Sequence, residues 1–490
     1  MGTKAEQIVP LARKIAARNK GMDLSRRDML FRSANGFGAL ALATMLAEDA
    51  PATDRSLDPL LVRTPHFAPK AKSVIFLFMD GGPSHVDTFD PKPRLREENG
   101  KPLPLKLPRT ANASNTTLLG SFWDFHKHGQ CGMEISELFP NLAGCADDLC
   151  VIRSMVSDFS EHTAGNYFMH SGSALQGRPS LGAWVTYGLG SPCKNLPGFI
   201  VLDSGMIPPG GLDVFSSGFL PASYQGTLFR KGEQPVADIA PREKSPELQR
   251  NKLGLLSKLD QRVRQRYGAV DELEAAIHNY ELAFKMQSEV PDLVDFSNET
   301  QATRRMYGLD EPDSGEFGRQ CLIARRLVER GVRFIELLSP KRQGVDRWDQ
   351  HGRIQHGLAT NCKATDRPIA GLIKDLKSRG LLDETLLVWG GEFGRTPTSQ
   401  GRGYDNVGRD HHPWGFTIWM AGGGSKGGYI HGATDEYGYY AIEDKVHVHD
   451  LHATILHLLG MDHERLTFHF SGRDMRLTDV HGKVMEALIA

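Results

Sequence analysis

Six stretches of the chain are apolar almost without interruption: SVIFLFM (73–79), LCVIRSM (149–155), GFIVLD (198–203), VRFIELL (332–338), TLLVWG (385–390) and FTIWMAG (416–422). Runs this short and this uniformly apolar are expected of strands covered on both faces. Between them the period changes. Leu256, Leu259, Val263 and Tyr267 fall on one helical face, as do Leu273, Ile277, Tyr280 and Phe284. Residues 317–331 (FGRQCLIARRLVERG) read as a helix ending on a glycine stop, and 367–380 (RPIAGLIKDLKSRG) repeat that plan. Buried strands alternating with helices predict an α/β fold, a largely parallel sheet with helices on both sides. Residues 205–250 read as a loop-rich insertion and 250–310 as a helical segment, with no repeat of fixed period.

The first 71 residues stand apart from this pattern. Arg26 and Arg27 in SRRDML precede the short apolar run FGALALATMLA. Spanning a bilayer takes about 20 apolar residues, so the run is expected to be a twin-arginine export signal over 1–50. The competing reading is an amphipathic helix with two chance arginines. Pro51, Pro59, Pro65 and Pro69 mark 51–71 as a linker, and 72–490 as one domain. The expected location is outside the cytoplasm, in the periplasm or at the cell surface. Twin-arginine export moves folded chains, so a metal could be loaded first. No other run is apolar enough for a transmembrane helix.

Charge adds little. Lys and Arg total 58 against 59 Asp and Glu, so no basic field points to nucleic acid. In an oxidising compartment the six cysteines could form up to three disulfides, but none sits in a C-x-x-C pair, which argues against a thiolate zinc site. The 19 histidines do change the picture, because many lie in the last third among acids.

In a parallel sheet, functional groups gather at the carboxyl ends of strands. Asp80 follows the first apolar run, and Glu392 follows TLLVWGG. Asp349 and His351 lie in WDQH after VRFIELL, and His411 and His412 precede FTIWMAG. Four strand connections thus bring oxygen and imidazole ligands toward one edge, the donor set of a hydrolytic divalent metal. Taken singly, each acid reads as a turn or helix cap and each histidine as packing. His447, His449, His452 and His457 read as packing or surface residues of a late helix that Asp450 caps. The glycines after Asp80 are expected to let backbone pass close to a ligand.

The motifs LFMDGGPSHVDTFDPKP, FGRQCLIARRLVERGVRF, WDQH, GGEFGRTP, GRDHHP and MAGGGSKGGYIHGATDEYG resemble those of a bacterial family of exported proteins. This is the domain-of-unknown-function 1501 family, sulfatase-like and within the alkaline phosphatase superfamily. The resemblance covers essentially all of the chain after the linker. It implies a three-layer α/β/α sandwich, one or two divalent metals, and a nucleophile that attacks phosphorus or sulfur. Asp80, Asp349, His351, Glu392 and one of His411 and His412 match metal positions. Phe393 stands where that superfamily usually has a histidine. The nucleophile position, ten residues before Gly172, is His162, with Thr163 adjacent. No C-x-P-S-R signature is present, which argues against a formylglycine sulfatase.

His162 could attack directly, could bind the metal and leave water to attack, or could mark a site that binds without hydrolysis. Arg395 and Arg409 are candidate clamps for an anionic substrate, with surface ion pairs as the competing reading. The expected activity is metal-dependent hydrolysis of phosphate or sulfate esters, with a small-molecule or glycan ester as substrate. The alternatives are a catalytically degenerate metal-containing binding protein of the envelope, or a structural envelope protein. The imidazoles favour Zn or Mn over Ca. The oligomeric state stays open.

Overall fold

All six apolar runs form strands of one sheet. The computed structural model describes residues 59–107, 116–232, 234–237, 239, 243, 245–267, 271–401 and 406–490. The expected export signal, and the linker up to residue 58, lie outside the described residues. The strands are β1 (Ser73–Phe78), β2 (Leu149–Val156), β3 (Phe199–Leu202), β4 (Thr227–Phe229), β5 (Phe334–Leu338) and β6 (Thr385–Gly390). A hairpin of β7 (Gly394–Gln400) and β8 (Gly408–His412) follows, then β9 (Phe416–Ala421), β10 (Tyr429–His431) and β11 (Val446–His447). The sheet runs β10-β2-β9-β6-β1-β5-β3-β4, with β11 also on β2. Every pairing in it is parallel except those of β9 with β2 and β6.

Alternation along β1 shows why the runs are apolar throughout. Ile75 and Leu77 enter one core with Leu327 and Leu372, from α5 (Gly315–Glu329) and α6 (Ile354–Ser378). Val74, Phe76 and Phe78 enter a second core on the opposite face. There they meet Phe168, Trp184 and Leu456 from α1 (His162–Ser171), α2 (Leu181–Leu189) and α7 (Val448–Leu458). A strand buried on both faces has no polar side to show. Asp450 caps α7, taking the backbone N–H of His447 at 2.9 Å.

Several boundaries differ from expectation. The helix expected at 367–380 begins at Ile354, and Pro368 lies inside it, buried. The described part of the linker lies on the domain. Leu60 is buried, and the backbone N–H groups of Lys70 and Ala71 each donate to Leu458 O at 2.9 Å.

The two long helices α3 (Pro246–Tyr267) and α4 (Asp271–Val294) form where helices were expected, with only part of the expected faces buried. Ile277, Leu282, Met286, Val290 and Leu293 are buried, while Tyr280, Phe284, Leu256 and Leu259 are exposed. A helix buries whichever stripe its neighbours cover. All six cysteines are free thiols, five of them buried, so none of the possible disulfides forms.

Candidate metal centre

Three elements bring four side chains together at the carboxyl edge of the sheet. α1 begins on His162, its N-cap Glu161 accepting from the N–H groups of Thr163 and Ala164 at 3.0 Å each. The loop after β5 carries Asp349 and His351, and β8 carries His411. One ligand atom from each of the four lies within 4.8 Å of the others. His351 Nε2 is 2.9 Å from Asp349 Oδ1, and His411 Nε2 is 3.2 Å from the same oxygen. His162 Nε2 is 3.1 Å from Asp349 Oδ2. Ligand atoms around a tetrahedral zinc stand about 3.3 Å apart, given bonds of about 2.0–2.1 Å.

The tautomers carry the argument further. His162 Nδ1 donates to Glu392 Oε1 at 2.6 Å and His411 Nδ1 donates to Ser160 O at 2.7 Å. His351 Nδ1 donates to Gln400 Oε1. Each ring thus has its proton on Nδ1 and turns an Nε2 lone pair inward, as metal-bound histidines do. His351 Nε2 and His411 Nε2 face each other at 2.9 Å. His162 Nε2 is buried and makes no hydrogen bond. Lone pairs turned on one another around a carboxylate call for a cation between them.

In the bare protein a proton takes that place. Burial pulls His162 down, but Asp349 and Glu392 outweigh it and push it up to about 9. Burial pushes the Asp349 carboxyl up, but His162, His351, His411 and Arg395 outweigh it and hold it well below the usual range. Asp349 raises His351, whereas burial lowers His411.

Glu392 stands one bond behind this group. It is fully buried, and its two oxygens accept Gly81 N–H at 3.0 and 3.1 Å. Asp80 lies beside it, paired with Arg347 rather than with the histidines. Burial and the Glu392 charge push Asp80 up to about 7, against the pull of Arg347. The glycine after Asp80 makes room for protein. Gly81 has φ +108°, and a Cβ there would sit 2.7 Å from Asp349 N and 2.8 Å from Trp348 N. Gly408 does the same from the other side, its Cβ position 2.3 Å from Gln350 O. Both glycines let backbone press against the loop that carries Asp349 and His351.

Three expected residues have other roles. Strand alternation turns His412 away from His411; it is fully buried, with its Nε2 on Tyr439 O. Arg409 is fully buried and holds Asp87 at 2.7 and 3.1 Å, with Leu119 O and Thr396 O on Nη1. Arg395 is buried, binding Gly81 O, Gly82 O, Arg409 O and Asp349. These two arginines hold the β7–β8 hairpin and the Asp349 loop together through protein acceptors. Thr163 is exposed in the first turn of α1. Arg347, Gln400 and the Ser160 carbonyl were not among the expected residues. A cation two residues before Asp349 was a visible signal for the first; the other two had none.

Comparison with curated proteins gives no match. Among solved structures the chain is similar to the sulfatase PsFucS1 from Pseudoalteromonas sp., at 14% identity and TM-score 0.32, over 82% of this chain and 69% of that one. It is similar to the lipoteichoic acid synthase LtaP of Listeria monocytogenes, at 9% identity and TM-score 0.34, over 85% and 78%. It is also similar to alkaline phosphatase from the Antarctic bacterium TAB5, at 11% identity and TM-score 0.31, over 81% and 99%. Those scores are low, and the reading of the site stands on its own geometry. Residues 71–489 match the family model described as "Protein of unknown function (DUF1501)". That match runs from two residues before β1 almost to the last residue, so the chain belongs to the DUF1501 family.

Proposed function

We propose that the chain is an exported, metal-dependent hydrolase of phosphate or sulfate esters. The observation that carries this is the convergence of His162, His351 and His411 through Nε2 on Asp349, with each Nδ1 held by an oxygen. Three imidazoles and one carboxylate suit Zn or Mn better than Ca. A divalent ion held there would polarise an ester oxygen and bring the pKa of a coordinated water to about 7. Glu392 keeps His162 oriented and basic. Arg347, part exposed, offers guanidinium donors to the charged oxygens of the ester, the role expected of Arg395 and Arg409. Asp80, beside Glu392 and paired with Arg347, is the candidate acid for the leaving group.

One observation favours binding without turnover. His162 Nδ1 is held by Glu392 and its Nε2 lies 3.1 Å from Asp349 Oδ2 within the ligand group, so the nitrogen that would attack is the one a metal would take. Hydrolysis then requires water as the nucleophile. Elemental analysis after chelator-free purification, with aryl phosphates and aryl sulfates assayed in Zn²⁺, Mn²⁺ or Ca²⁺, tests both readings. Turnover lost in Asp349→Ala and His351→Ala supports the hydrolase. A bound metal with no turnover supports the binding protein, and a protein free of metal refutes both.

A further inference from the structure

A cavity of about 830 Å³ opens at the carboxyl ends of β3 and β4, within the usual size of ligand sites. Topology relates it to the metal centre. β1, β5, β3 and β4 are neighbours in that order and all parallel, so their carboxyl ends share one edge. β3 and β4 stand two and three strands from β1, about 10–14 Å along it. The loop after β3 joins the two places. Asp203 O accepts from Gln320 Nε2 in the cavity wall at 2.7 Å, and Ile207 O accepts from Arg347 Nη2 at 2.8 Å. Arg347 in turn pairs with Asp80.

The lining combines two chemistries. Phe229, Phe296 and Ile323 give it an apolar floor. Four cations and two acids, Asp295 and Glu316, also line it, leaving the cations in excess. Lys231 lies 3.3 Å from Glu316, and Arg304 binds Asp310. Arg230 and Arg319 are exposed and have no ion-pair partner among the described residues. A small inorganic anion needs no apolar floor, and a neutral ligand leaves two guanidinium groups unmatched. A chain of flat-faced rings carrying anionic substituents satisfies both, the rings over the part-exposed Phe296 and Ile323 and the anions on the arginines.

We propose that this cavity binds an acidic oligosaccharide. Joined to the hydrolase reading, on which this part alone rests, it holds the stretch of the chain that lies beyond the ester at the metal centre. The test is calorimetric titration with a sulfated dextran oligomer, neutral dextran of equal length, and polyglutamate of equal charge. It uses the wild type and the double variant Arg230→Glu, Arg319→Glu. The expected result is that the sulfated oligomer binds about tenfold or more tighter than either control, and that the double variant loses that advantage. Metal content and small-ester turnover stay at wild-type values in the variant. Equal affinity for neutral dextran, or an unchanged affinity in the variant, overturns the site; tighter binding of polyglutamate overturns the sugar assignment. Binding lost in the variant while no ester is turned over by either protein supports the cavity and sinks the hydrolase reading instead.

Discussion

Replacing Glu392 with glutamine changes one atom at a fully buried position, and its effect on the metal centre follows from hydrogen-bond inventory. The carboxylate accepts three contacts: His162 Nδ1–H at 2.6 Å, and Gly81 N–H at 3.0 and 3.1 Å. An amide has one acceptor oxygen. If that oxygen keeps His162, the amide NH₂ is set against Gly81 N–H, donor against donor. If the amide flips, its NH₂ meets His162 Nδ1, which must give up its proton and place it on Nε2. That blocks the lone pair needed for the metal. Changes behind a metal-bound histidine cost about 10–100-fold in affinity, or about 1.4–2.7 kcal/mol.

Competition against a chromophoric chelator, with Zn²⁺ and with Mn²⁺, measures this directly. Glu392→Gln is expected to bind metal about 10–100-fold more weakly while remaining folded by circular dichroism. A second readout is independent of metal. Because the Glu392 charge is part of what raises Asp80, the Asp80 carboxyl of the bare variant should titrate below its wild-type value of about 7. Carbon-detected NMR of labelled aspartate reports it. A variant that binds metal as tightly as wild type, with an unmoved Asp80, would refute the assignment of Glu392 as the residue that orients His162.

Other outcomes follow from the same contacts. Gly81→Ala puts a Cβ 2.7 Å from Asp349 N at φ +108°; it should cost more than about 2 kcal/mol in urea unfolding and weaken metal binding, and a variant of wild-type stability and affinity would contradict the close approach. His452 is fully buried beside His449, His170 and His447, with Nε2 donating to Met169 O at 2.7 Å, and burial lowers it to about 3. Below about pH 6.5 the unfolded chain therefore binds a proton that the folded chain refuses, so this residue costs up to about 1.4 kcal/mol of stability per pH unit down to about pH 3. His452→Gln should flatten the fall in unfolding free energy between pH 6.5 and 4, and an unchanged slope would rule that contribution out. Breaking the buried His170–Glu336 pair, 2.6 Å apart, by His170→Phe strands a carboxylate in the core and should cost about 3–5 kcal/mol; unfolding within about 1 kcal/mol of wild type would contradict the burial. Replacing Arg26 and Arg27 with lysine should leave the precursor in the cytoplasm by fractionation; normal export of that variant would remove the twin-arginine reading.

Strands buried on both faces announced themselves because polar residues along them are few and need a partner, as Glu336 in β5 has in His170, and all six apolar runs lie in the sheet. Helices with one covered face were legible as helices only. In α4 the stripe Ile277, Leu282, Met286, Val290 and Leu293 and the stripe of Tyr280 and Phe284 are both apolar at helical spacing. Only the partner surface chooses between them. The start of α6 was hidden because Pro368 reads as a helix opening when no fold is present to accommodate it.

For the candidate centre, the chain by itself determined the residue types and the edge. Acids and histidines follow apolar strands, and parallel strands deliver their ends to one rim. Tertiary structure decided which of them meet. His411 and His412 are indistinguishable as neighbours in a list, yet a strand turns them to opposite sides, and Tyr439 claims one of them. Arg395 and Arg409 look like substrate clamps until acids and carbonyls of the protein are seen to take their donors. Glu392 stands behind His162 instead of beside Asp349. The physical reason is that ligand capacity belongs to the side chain, whereas direction and prior engagement belong to the packing around it.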